Sequence, residues 1–241
     1  ITKVFRKAKE VVPETDNMCY SGGVALNCVA NSLVVEKQYP NMWILPNPGD
    51  AGSSLGCAAY IGGKHLNFDS AFLGYDIKGK YPVKSVLKEL LKGNLVGVAN
   101  GRAEYGPRAL GNRSLLADPR GKDIKDKMNE IKNRQEFRPF APMILEEYFE
   151  EYFYGRKNRY MQFVSKALHD YKSVTHIDGT ARVQVVEKSN PSVARLILEE
   201  WHEKTGCPML LNTSLNIKGQ PIVNTWDDAV DFMRKYNVKV F

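Results

Sequence analysis

One stretch of the sequence concentrates arginines in a way that suits binding of phosphate or carboxylate groups. The segment GRAEYGPRALGNRSLLADPRG holds four of them among glycines and prolines: Arg102, Arg108, Arg113 and Arg120. A guanidinium group matches phosphate or carboxylate oxygens in bidentate geometry, and backbone in glycine turns adds N–H donors to the same anion. Buried arginine is rarely left unpaired, so we expect about half of these arginines to brace the loop by pairing with Glu104 and Asp118.

A second group of polar residues falls at the ends of predicted helices and strands. It comprises Lys132 and Arg138 in IKNRQEFRPFAP, Arg182 in DGTARVQ, and Asn212 and Ser214 in LNTSLNIKGQP. Lysine and arginine can neutralise a phosphoryl group while asparagine and serine orient a carbonyl, as activation of an acyl phosphate requires. Asn-Thr-Ser after a strand is also common turn chemistry, which is the alternative for Asn212 and Ser214.

Two glycine turns near the start of the chain are weaker candidates. In SGGVALN, Gly22 and Gly23 follow a predicted strand and open a helix, where bare N–H groups can contact a phosphate. Such a pair is more often a tight turn. In PNPGDAGSSLG, Asp50 stands between glycines, where a carboxylate can bind a cation, although its position alone favours a helix N-cap.

The composition favours a globular protein with a cationic pocket. The chain has 241 residues, 43% of them hydrophobic, and a formal net charge of +7. That charge suits nucleic acid or a small phosphorylated ligand, and the placement of arginines in turns rather than in lysine runs favours the pocket. No apolar run reaches the roughly 18 to 20 residues of a membrane span, and the start lacks a signal peptide's apolar middle. We therefore expect a cytoplasmic protein without a membrane segment.

The four cysteines form no CxxC pair; they are Cys19, Cys28, Cys57 and Cys207. In a chain of this size they are typical of small buried hydrophobic residues in a reducing compartment. We expect neither zinc nor a disulfide framework.

The elements that must position these groups alternate between strands and helices, which predicts an α/β fold. Up to about residue 62 the pattern is strand, glycine turn and helix, twice over. The polar, glycine-dotted stretch at 63–80 has no periodicity, and we place a domain boundary there, between residues 66 and 67.

Beyond the boundary, helices and strands continue to alternate. PVKSVLKELLKG predicts a helix, NLVGVAN a strand that completes a crossover unit, RVQVVEK a strand and PMLLNTS another. SNPSVARLILEEWHEKTG predicts a helix with Pro191 in its first turn, Gly206 beyond its end and an inward face of Val193, Leu196, Ile197 and Trp201. The last helix, TWDDAVDFMRKY, has Thr225 as its N-cap and an inward face of Trp226, Ala229, Val230 and Met233.

Several motifs together resemble the O-carbamoyltransferases that modify nodulation factors and aminoglycoside or coumarin antibiotics. They are GGVALNCVAN, GDAGSSLG, GRAEYGPRALGNRSLLADPR, FRPFAP, DGTARVQ and LNTSLNIKGQPIV. The resemblance covers nearly the whole chain, and GRAEYGPRALGNRS is too long a match to arise from turn preferences alone.

The resemblance implies two α/β domains. Residues 1–66 would be the C-terminal remnant of an actin-like ATPase (ASKHA-type) domain, and residues 67–241 a YrdC-like domain, an open twisted sheet with a concave pocket. The YrdC-like domain would form carbamoyl-adenylate from carbamoyl phosphate and ATP. The actin-like domain would pass the carbamoyl group to an acceptor hydroxyl on a small, typically sugar-containing molecule.

The resemblance also assigns roles to matching residues. Carbamoyl phosphate would contact Lys132, Arg138, Arg182, Asn212 and Ser214. The cofactor ATP would contact Gly22, Gly23 and Asn27 in the first glycine turn and Arg102, Arg108 and Arg113 in the arginine-rich segment. Asp50 matches an aspartate that helps to bind an iron-type divalent metal, which reverses the N-cap interpretation.

Two features depart from the family pattern. The family's metal site also needs two histidines from an HxxxH-like motif, and this chain has no such pair among His65, His169, His176 and His202. We therefore expect a C-terminal portion or one piece of a split protein, with an incomplete metal site, that depends on the missing N-terminal half. In VANGRAE, the family's usual aromatic residue and glutamine before GR are absent.

Two other functions stay open. A non-catalytic, YrdC-like RNA-binding module would also present a basic concavity, although it would not need the DGTARVQ and LNTSLN loops. A threonylcarbamoyl-adenylate synthase-like enzyme would use bicarbonate and threonine instead of carbamoyl phosphate, so substrate dependence separates it from a carbamoyltransferase.

Overall fold

The computed structural model of the protein describes residues 1–135, 138–189 and 192–241. Phe137 of FRPFAP and the predicted helix residue Pro191 lie outside the described residues. The helices are α1 (Thr2–Val11), α2 (Cys28–Lys37), α3 (Ser53–Gly62), α4 (Val83–Leu90), α5 (Ile124–Lys132), α6 (Phe149–Tyr152), α7 (Val193–Thr205) and α8 (Trp226–Tyr236). The strands are β1 (Asn17–Tyr20), β2 (Asn41–Ile44), β3 (Phe72–Ile77), β4 (Val96–Ala99), β5 (Gly101–Glu104), β6 (Arg113–Ala117), β7 (Ala141–Leu145), β8 (Phe153–Tyr154), β9 (Ser165–Ala167), β10 (Thr180–Ala181), β11 (Gln184–Val186) and β12 (Met209–Ser214). Within these ranges, no helix is long and apolar enough to cross a membrane.

A mixed five-stranded sheet forms the centre of the larger part of the chain, in the order β11-β7-β12-β6-β4. Strands β7 and β11 are parallel, and the other neighbouring pairs are antiparallel. The predicted crossover unit at α4 and β4 is therefore wrong, because β4 pairs antiparallel with β6 and the preceding β3 pairs with β5 in a separate sheet. Residues 239–241 extend the sheet beyond β4, where the Phe241 N–H donates to the Gly97 carbonyl.

Alternation along the strands fills two cores, one on each face of this sheet. Leu210 of β12 packs in the core that α4 and α7 cover, and its neighbour Leu211 packs in the core that α5 and α8 cover. Successive strand residues point to opposite faces, so each strand contributes to both cores. The result is a three-layer α/β arrangement, which confirms the predicted α/β class.

The predicted helix faces are right at their centres and wrong at their edges. On α7 the buried stripe runs through Ala194, Ile197, Leu198 and Trp201, and Leu196 is 48% exposed. These four positions follow the i, i+3, i+4, i+7 spacing of one helix face, which Leu196 does not share. On α8 the predicted face is also only partly right. Ala229 is buried as predicted, Phe232 is buried without having been predicted, and Trp226, the first residue of the helix, is exposed.

The first 62 residues form a small unit around the parallel pair β1 and β2. Its core includes Phe5 of α1 and Met42 and Ile44 of β2, and it is completed by Phe163 from the larger part of the chain. The Gln162 side-chain amide donates to the Ile44 carbonyl, which ties the unit to the same segment. Residues 63–71 carry no helix or strand, and the domain boundary at 66 and 67 stays a prediction.

The cysteines differ from the sequence expectation in part. All four are free thiols, and Cys207 is buried as predicted, but Cys19 and Cys57 are exposed. Cys57 lies on α3, a helix with no buried residues. Cys19 lies on the face of β1 that points away from the core of the small unit. Their exposure follows from these positions.

The arginine-rich segment is organised by one buried guanidinium group. Arg113 is completely buried on β6 and donates to the carbonyl oxygens of five residues, namely Tyr75, Asn100, Gly101, Asn112 and Asn224. Glu104 does not form the expected ion pair but accepts the backbone N–H groups of Leu110, Asn112 and Arg113 through Oε1. Arg120 and Asp118 do form the expected pair, with Nε and Oδ1 2.9 Å apart. Arg113 therefore joins three segments of backbone.

Replacing Arg113 with methionine should strongly destabilise the fold. The change keeps a long side chain but leaves several buried carbonyl oxygens without a donor, which should lower the free energy of unfolding by about 3 kcal/mol or more. Urea unfolding followed by circular dichroism measures this. The exposed Arg102 on β5 supplies the matched control, because Arg102→Met should change the free energy of unfolding by less than about 0.5 kcal/mol. Equal stabilities of the two variants would contradict the role assigned to Arg113.

Candidate functional site

A cavity of about 500 Å³ lies where the end of β12 meets the loops that follow β5, α5 and β10. The lining residues come from four separate stretches of the sequence, together with Met161: they are Pro107, Arg108, Ala109, Lys132, Arg134, Gln135, Arg138, Arg182, Asn212, Thr213, Ser214, Asn216, Ile217, Lys218 and Gly219. Met161 has a left-handed backbone conformation with φ of 57°, which is uncommon for a residue with a side chain and is often found at functional sites. We call this space the cationic cavity.

Six cations line the cationic cavity without a carboxylate among its described lining residues to balance them. They are Arg108, Lys132, Arg134, Arg138, Arg182 and Lys218, and no carboxylate within the described ranges forms a salt bridge with any of them. Burial, followed by repulsion from Arg108, lowers the pKa of Arg182 to about 9. Burial and the neighbouring Arg138 lower the pKa of Arg134 to about 10. A bound anion would relieve both the desolvation and the mutual repulsion of these groups.

Lys132 is the most deeply buried of the six cations, with only 6% of its surface exposed. Its Nζ donates to the carbonyl oxygens of Ser214 and Asn216 at 2.7 and 2.6 Å, to Asn216 Oδ1 at 2.7 Å and to Ser214 Oγ at 3.2 Å. Burial, with a smaller contribution from Arg134, lowers the pKa of Lys132 to about 7. Lys132 therefore joins the end of α5 to the loop after β12 and changes its charge near neutral pH.

Arg108 and Arg134 reach the cavity with their guanidinium groups supported by neighbouring residues. Arg108 donates to the carbonyl of Leu26 at 3.1 Å, so the turn that precedes α2 helps to hold it. The guanidinium of Arg134 lies 5.2 Å from the ring centre of Phe140. A guanidinium over an aromatic face is favourable in itself, which offsets part of the cost of placing it among other cations.

The structure brings together most of the residues that sequence reasoning assigned to a phosphorylated ligand. Lys132, Arg138, Arg182, Asn212 and Ser214 all line the cationic cavity. Arg108, assigned to the cofactor from the arginine-rich segment, lines it as well. Their roles in binding stay predictions, but their convergence follows from the fold.

Two arginines of the same segment lie elsewhere. Arg113 is inside the core and its five nitrogen-bound hydrogens face backbone carbonyls, so it has no free donor for ATP. Arg102 is exposed on β5 and does not line the cavity. We leave both out of the candidate site, which revises the sequence expectation for them.

The first glycine turn is open to solvent at the end of β1. Gly22 has φ of 101°, and a Cβ added at Gly22 or Gly23 would meet no atom within 4 Å. Asn27 is the N-cap of α2, where its Oδ1 accepts the Ala30 N–H at 3.1 Å. The turn lies beside the second glycine turn, since the Gly22 N–H donates to the Pro48 carbonyl. Contact with a nucleotide stays a prediction for these three residues.

The residues present do not make a metal site around Asp50. It is exposed at the start of the short 3-10 turn Asp50–Gly52, whose N-cap residue is Gly49. No group of three or more His, Cys, Asp or Glu side chains that could hold a metal ion occurs in the described parts of the chain. One carboxylate does not supply the set of ligands that an iron-type ion requires.

Sequence reasoning missed several lining residues, among them Arg134, Gln135, Met161, Asn216 and Lys218. Arg134 and Asn216 lie inside the quoted motifs IKNRQEFRPFAP and LNTSLNIKGQP, only two residues from a predicted site residue in each case. Proximity in the motif was the available signal for them. Met161 has no comparable signal, because it reaches the cavity from a distant loop.

A second cavity of about 510 Å³ adjoins the first. Arg134, Arg138 and Arg182 line both cavities. The remaining walls of the second cavity are Cys28, Val29, Pro139, Phe140, His176, Ile177 and Asp178. We call it the adjoining cavity. It combines an apolar wall with three cations that also face the first cavity.

The fold and the two cavities define an α/β protein with a cavity lined by cationic side chains. The chain matches the family model for the C-terminal part of carbamoyltransferases over residues 87–241 and the model for the N-terminal part over residues 1–59. It belongs to the carbamoyltransferase family, a family of transferase enzymes.

Relatives of known name agree with this assignment. The 3'-hydroxymethylcephem-O-carbamoyltransferase of Amycolatopsis lactamdurans is 35% identical over 92% of this chain and 47% of its own length. The nodulation protein NolO of Bradyrhizobium diazoefficiens is 35% identical over 88% of this chain and 45% of its own length. Nodulation protein U of Rhizobium tropici is 34% identical over 87% of this chain and 40% of its own length. The chain thus spans somewhat less than half the length of these relatives.

Solved structures show a weaker likeness. Escherichia coli YciO has a TM-score of 0.48 and 17% identity, covering 69% of this chain and 79% of that one. HypF of T. kodakarensis has a TM-score of 0.47 and 16% identity, covering 68% of this chain and 20% of that one. At these scores the likeness does not by itself define the fold.

Anion binding in the cationic cavity should weaken as the pH rises through about 7. Lys132 is charged below its pKa of about 7 and neutral above it, and a charged Lys132 attracts an anion. Sulfate stays a dianion across this range, so calorimetric titration with sulfate reports on the protein alone. The dissociation constant should rise several-fold between about pH 6 and about pH 8.

Lys132→Met supplies the control for this pH dependence. The variant should bind sulfate more weakly below neutral pH and with little change between about pH 6 and about pH 8. Burial lowers the pKa of His176, and the Lys132→Met variant separates any contribution of that residue from the contribution of Lys132. An unchanged pH slope in Lys132→Met would refute the assignment of the titration to Lys132.

Proposed function

We propose that this chain carries the carbamoyl-phosphate-activating site of an ATP-dependent O-carbamoyltransferase. The observation that supports this most directly is the cationic cavity, where six cations lack a carboxylate partner among the described residues. Family membership supplies the reaction class, since a relative is named an O-carbamoyltransferase. The cavity supplies a place for a small phosphorylated substrate.

Carbamoyl phosphate would lie with its phosphate among Lys132, Arg138 and Arg182. Its carbamoyl end would contact Asn212 and Ser214 at the end of β12. Arg134 and Arg108 add positive charge around the same phosphate. The contribution of the protein would be to position the substrate and to neutralise its charge, which is the main source of catalysis in phosphate chemistry of this kind.

ATP would use the adjoining cavity. The apolar wall at Val29, Phe140 and Ile177 offers a surface for a nucleoside, and the three shared arginines offer charge for its phosphates. Water would cleave carbamoyl phosphate to carbamate and phosphate. An anionic carbamate oxygen would then attack the α-phosphorus of ATP, the bond to the β-phosphate would break, and carbamoyl-adenylate and pyrophosphate would form.

The remaining steps would need more than this chain. Residues 1–66 would belong to an actin-like N-terminal domain and residues 67–241 to the YrdC-like activating domain, a division compatible with the separate family-model matches to residues 1–59 and 87–241. The other part of the N-terminal domain, in the same protein or in a partner chain, would supply the pocket for the acceptor hydroxyl and the metal-binding histidines. The acceptor would be a small molecule, since a relative is named for transfer to a hydroxymethylcephem.

Arg182→Ala should abolish the exchange of labelled pyrophosphate into ATP that depends on carbamoyl phosphate. The guanidinium serves both cavities, and loss of one charge-assisted contact to a transition state is worth roughly a hundredfold or more in rate. The assay follows labelled ATP with and without carbamoyl phosphate. Bicarbonate with threonine replaces carbamoyl phosphate in a parallel reaction, which tests the threonylcarbamoyl alternative.

Arg102→Ala is the matched control, because it removes an arginine from the same sequence motif but outside both cavities. It should retain the exchange rate of the wild type. Exchange that survives in folded Arg182→Ala would refute the proposed site. A chain that is inert towards ATP but binds RNA with steep salt dependence would instead favour the RNA-binding alternative.

A further inference from the structure

The side chain of Asn212 is held in a single orientation by groups that can only accept hydrogen bonds. Its Nδ2 donates to the Ala109 carbonyl at 3.0 Å and to Gln184 Oε1 at 2.7 Å. Gln184 is itself oriented, because its Nε2 donates to the Leu110 carbonyl at 2.8 Å. Because a backbone carbonyl can only accept, these two carbonyls fix the positions of the nitrogen and the oxygen in the side-chain amides of Asn212 and Gln184.

This arrangement leaves one acceptor of Asn212 unused. Both Nδ2 hydrogens are engaged, and Oδ1 is buried without a hydrogen-bond partner among the described residues. Asn212 is only 1% exposed and it lines the cationic cavity. A buried oxygen without a donor is unfavourable, and a donor on a ligand in the adjacent cavity would relieve this cost.

A separate hydrogen-bond network orients the hydroxyl group of Ser214. Asn216 Nδ2 donates to the Gln220 carbonyl at 2.7 Å, which turns Asn216 Oδ1 towards Ser214. The Ser214 hydroxyl donates to that oxygen at 2.6 Å, and its Oγ accepts from Lys132 Nζ at 3.2 Å. Since a hydroxyl has one hydrogen and two lone pairs, the remaining position on Ser214 Oγ can only accept.

The geometry points to a specificity device: Gln184 and Asn216 make Asn212 and Ser214 hydrogen-bond acceptors, so that the cavity selects a phosphorylated ligand whose other end is an amino group. Asn212 and Ser214 are two residues apart on β12, so their side chains leave the strand on the same side. A planar NH2 group has two hydrogens to donate, one for each oxygen. The inference rests on the proposed function and specifies how the site recognises the carbamoyl end of its substrate.

The chemical consequence is discrimination between carbamoyl phosphate and acetyl phosphate. The two molecules have nearly the same shape, and a methyl group in acetyl phosphate replaces the amino group. The methyl group cannot donate, so Asn212 Oδ1 would stay unpaired and the remaining acceptor position on Ser214 Oγ would stay unused when acetyl phosphate binds. Sites built around a hydrogen bond reject an analogue that lacks it far more strongly than apolar pockets reject a change of size.

Calorimetric titration without ATP tests this, with freshly dissolved carbamoyl phosphate, acetyl phosphate and inorganic phosphate as the three ligands. The wild type should bind carbamoyl phosphate at least about tenfold more tightly than acetyl phosphate. Asn216→Leu frees the Ser214 hydroxyl to donate, and the preference should fall to about threefold or less. Asn216→Asp keeps an acceptor at that position and should retain the preference, although its charge weakens the binding of all three ligands.

Gln184→Met tests the other network, and should lower the preference in the same way through loss of the orientation of Asn212. It also covers the case in which Asn216→Leu does not fold. Equal binding of the two acyl phosphates by the wild type, or full preference in folded Asn216→Leu and Gln184→Met, would overturn the inference. If all ligands bind in an Arg182-dependent manner without preference, this inference alone fails. If none of them binds, the proposed function fails with it.

Discussion

The mutual repulsion of six cations around one cavity is the constraint on which the surrounding structure depends. Like charges at this spacing push one another apart, and the fold opposes this with backbone oxygens rather than carboxylates. Lys132 is held by oxygens of the loop after β12, and Arg108 by the Leu26 carbonyl. Carbonyl oxygens stabilise a cation without cancelling its charge, so the positive potential of the cavity stays available to a ligand.

The same preference for carbonyl partners explains how the arginine-rich segment divides between support and binding. Arg113 gathers carbonyls from strands and loops into the core, and Glu104 receives the backbone N–H groups of the following turn. With those two residues fixing the backbone, the loop at Pro107–Ala109 has a defined path past the cavity. Arg108 can then present its guanidinium group to the cavity at little further cost in conformational freedom.

Sequence patterns predicted several of the helices and strands and the residues that converge on the cationic cavity, but they could not separate residues of the same type. Periodicity predicted the buried centres of α7 and α8, and loop-end placement predicted the convergence of Lys132, Arg182 and Ser214. The sequence could not distinguish Arg108 from Arg113. Whether such a side chain faces the cavity or the core depends on the direction in which the backbone of the turn points it. That direction depends on tertiary contacts such as those with Tyr75 and Asn224, which are distant in sequence.

The three arginines shared by the two cavities link the occupancy of one cavity to that of the other. An anion in either space uses part of a common positive charge, so a second anion binds to a site with less of it to offer. If both cavities held anions at once, the two ligands would be negatively coupled, and each would weaken the other by the same factor. Release of phosphate from the cationic cavity would return that charge to whatever occupies the adjoining one. The shared guanidinium groups would thereby tighten binding in one cavity when the other empties, without any change of backbone conformation.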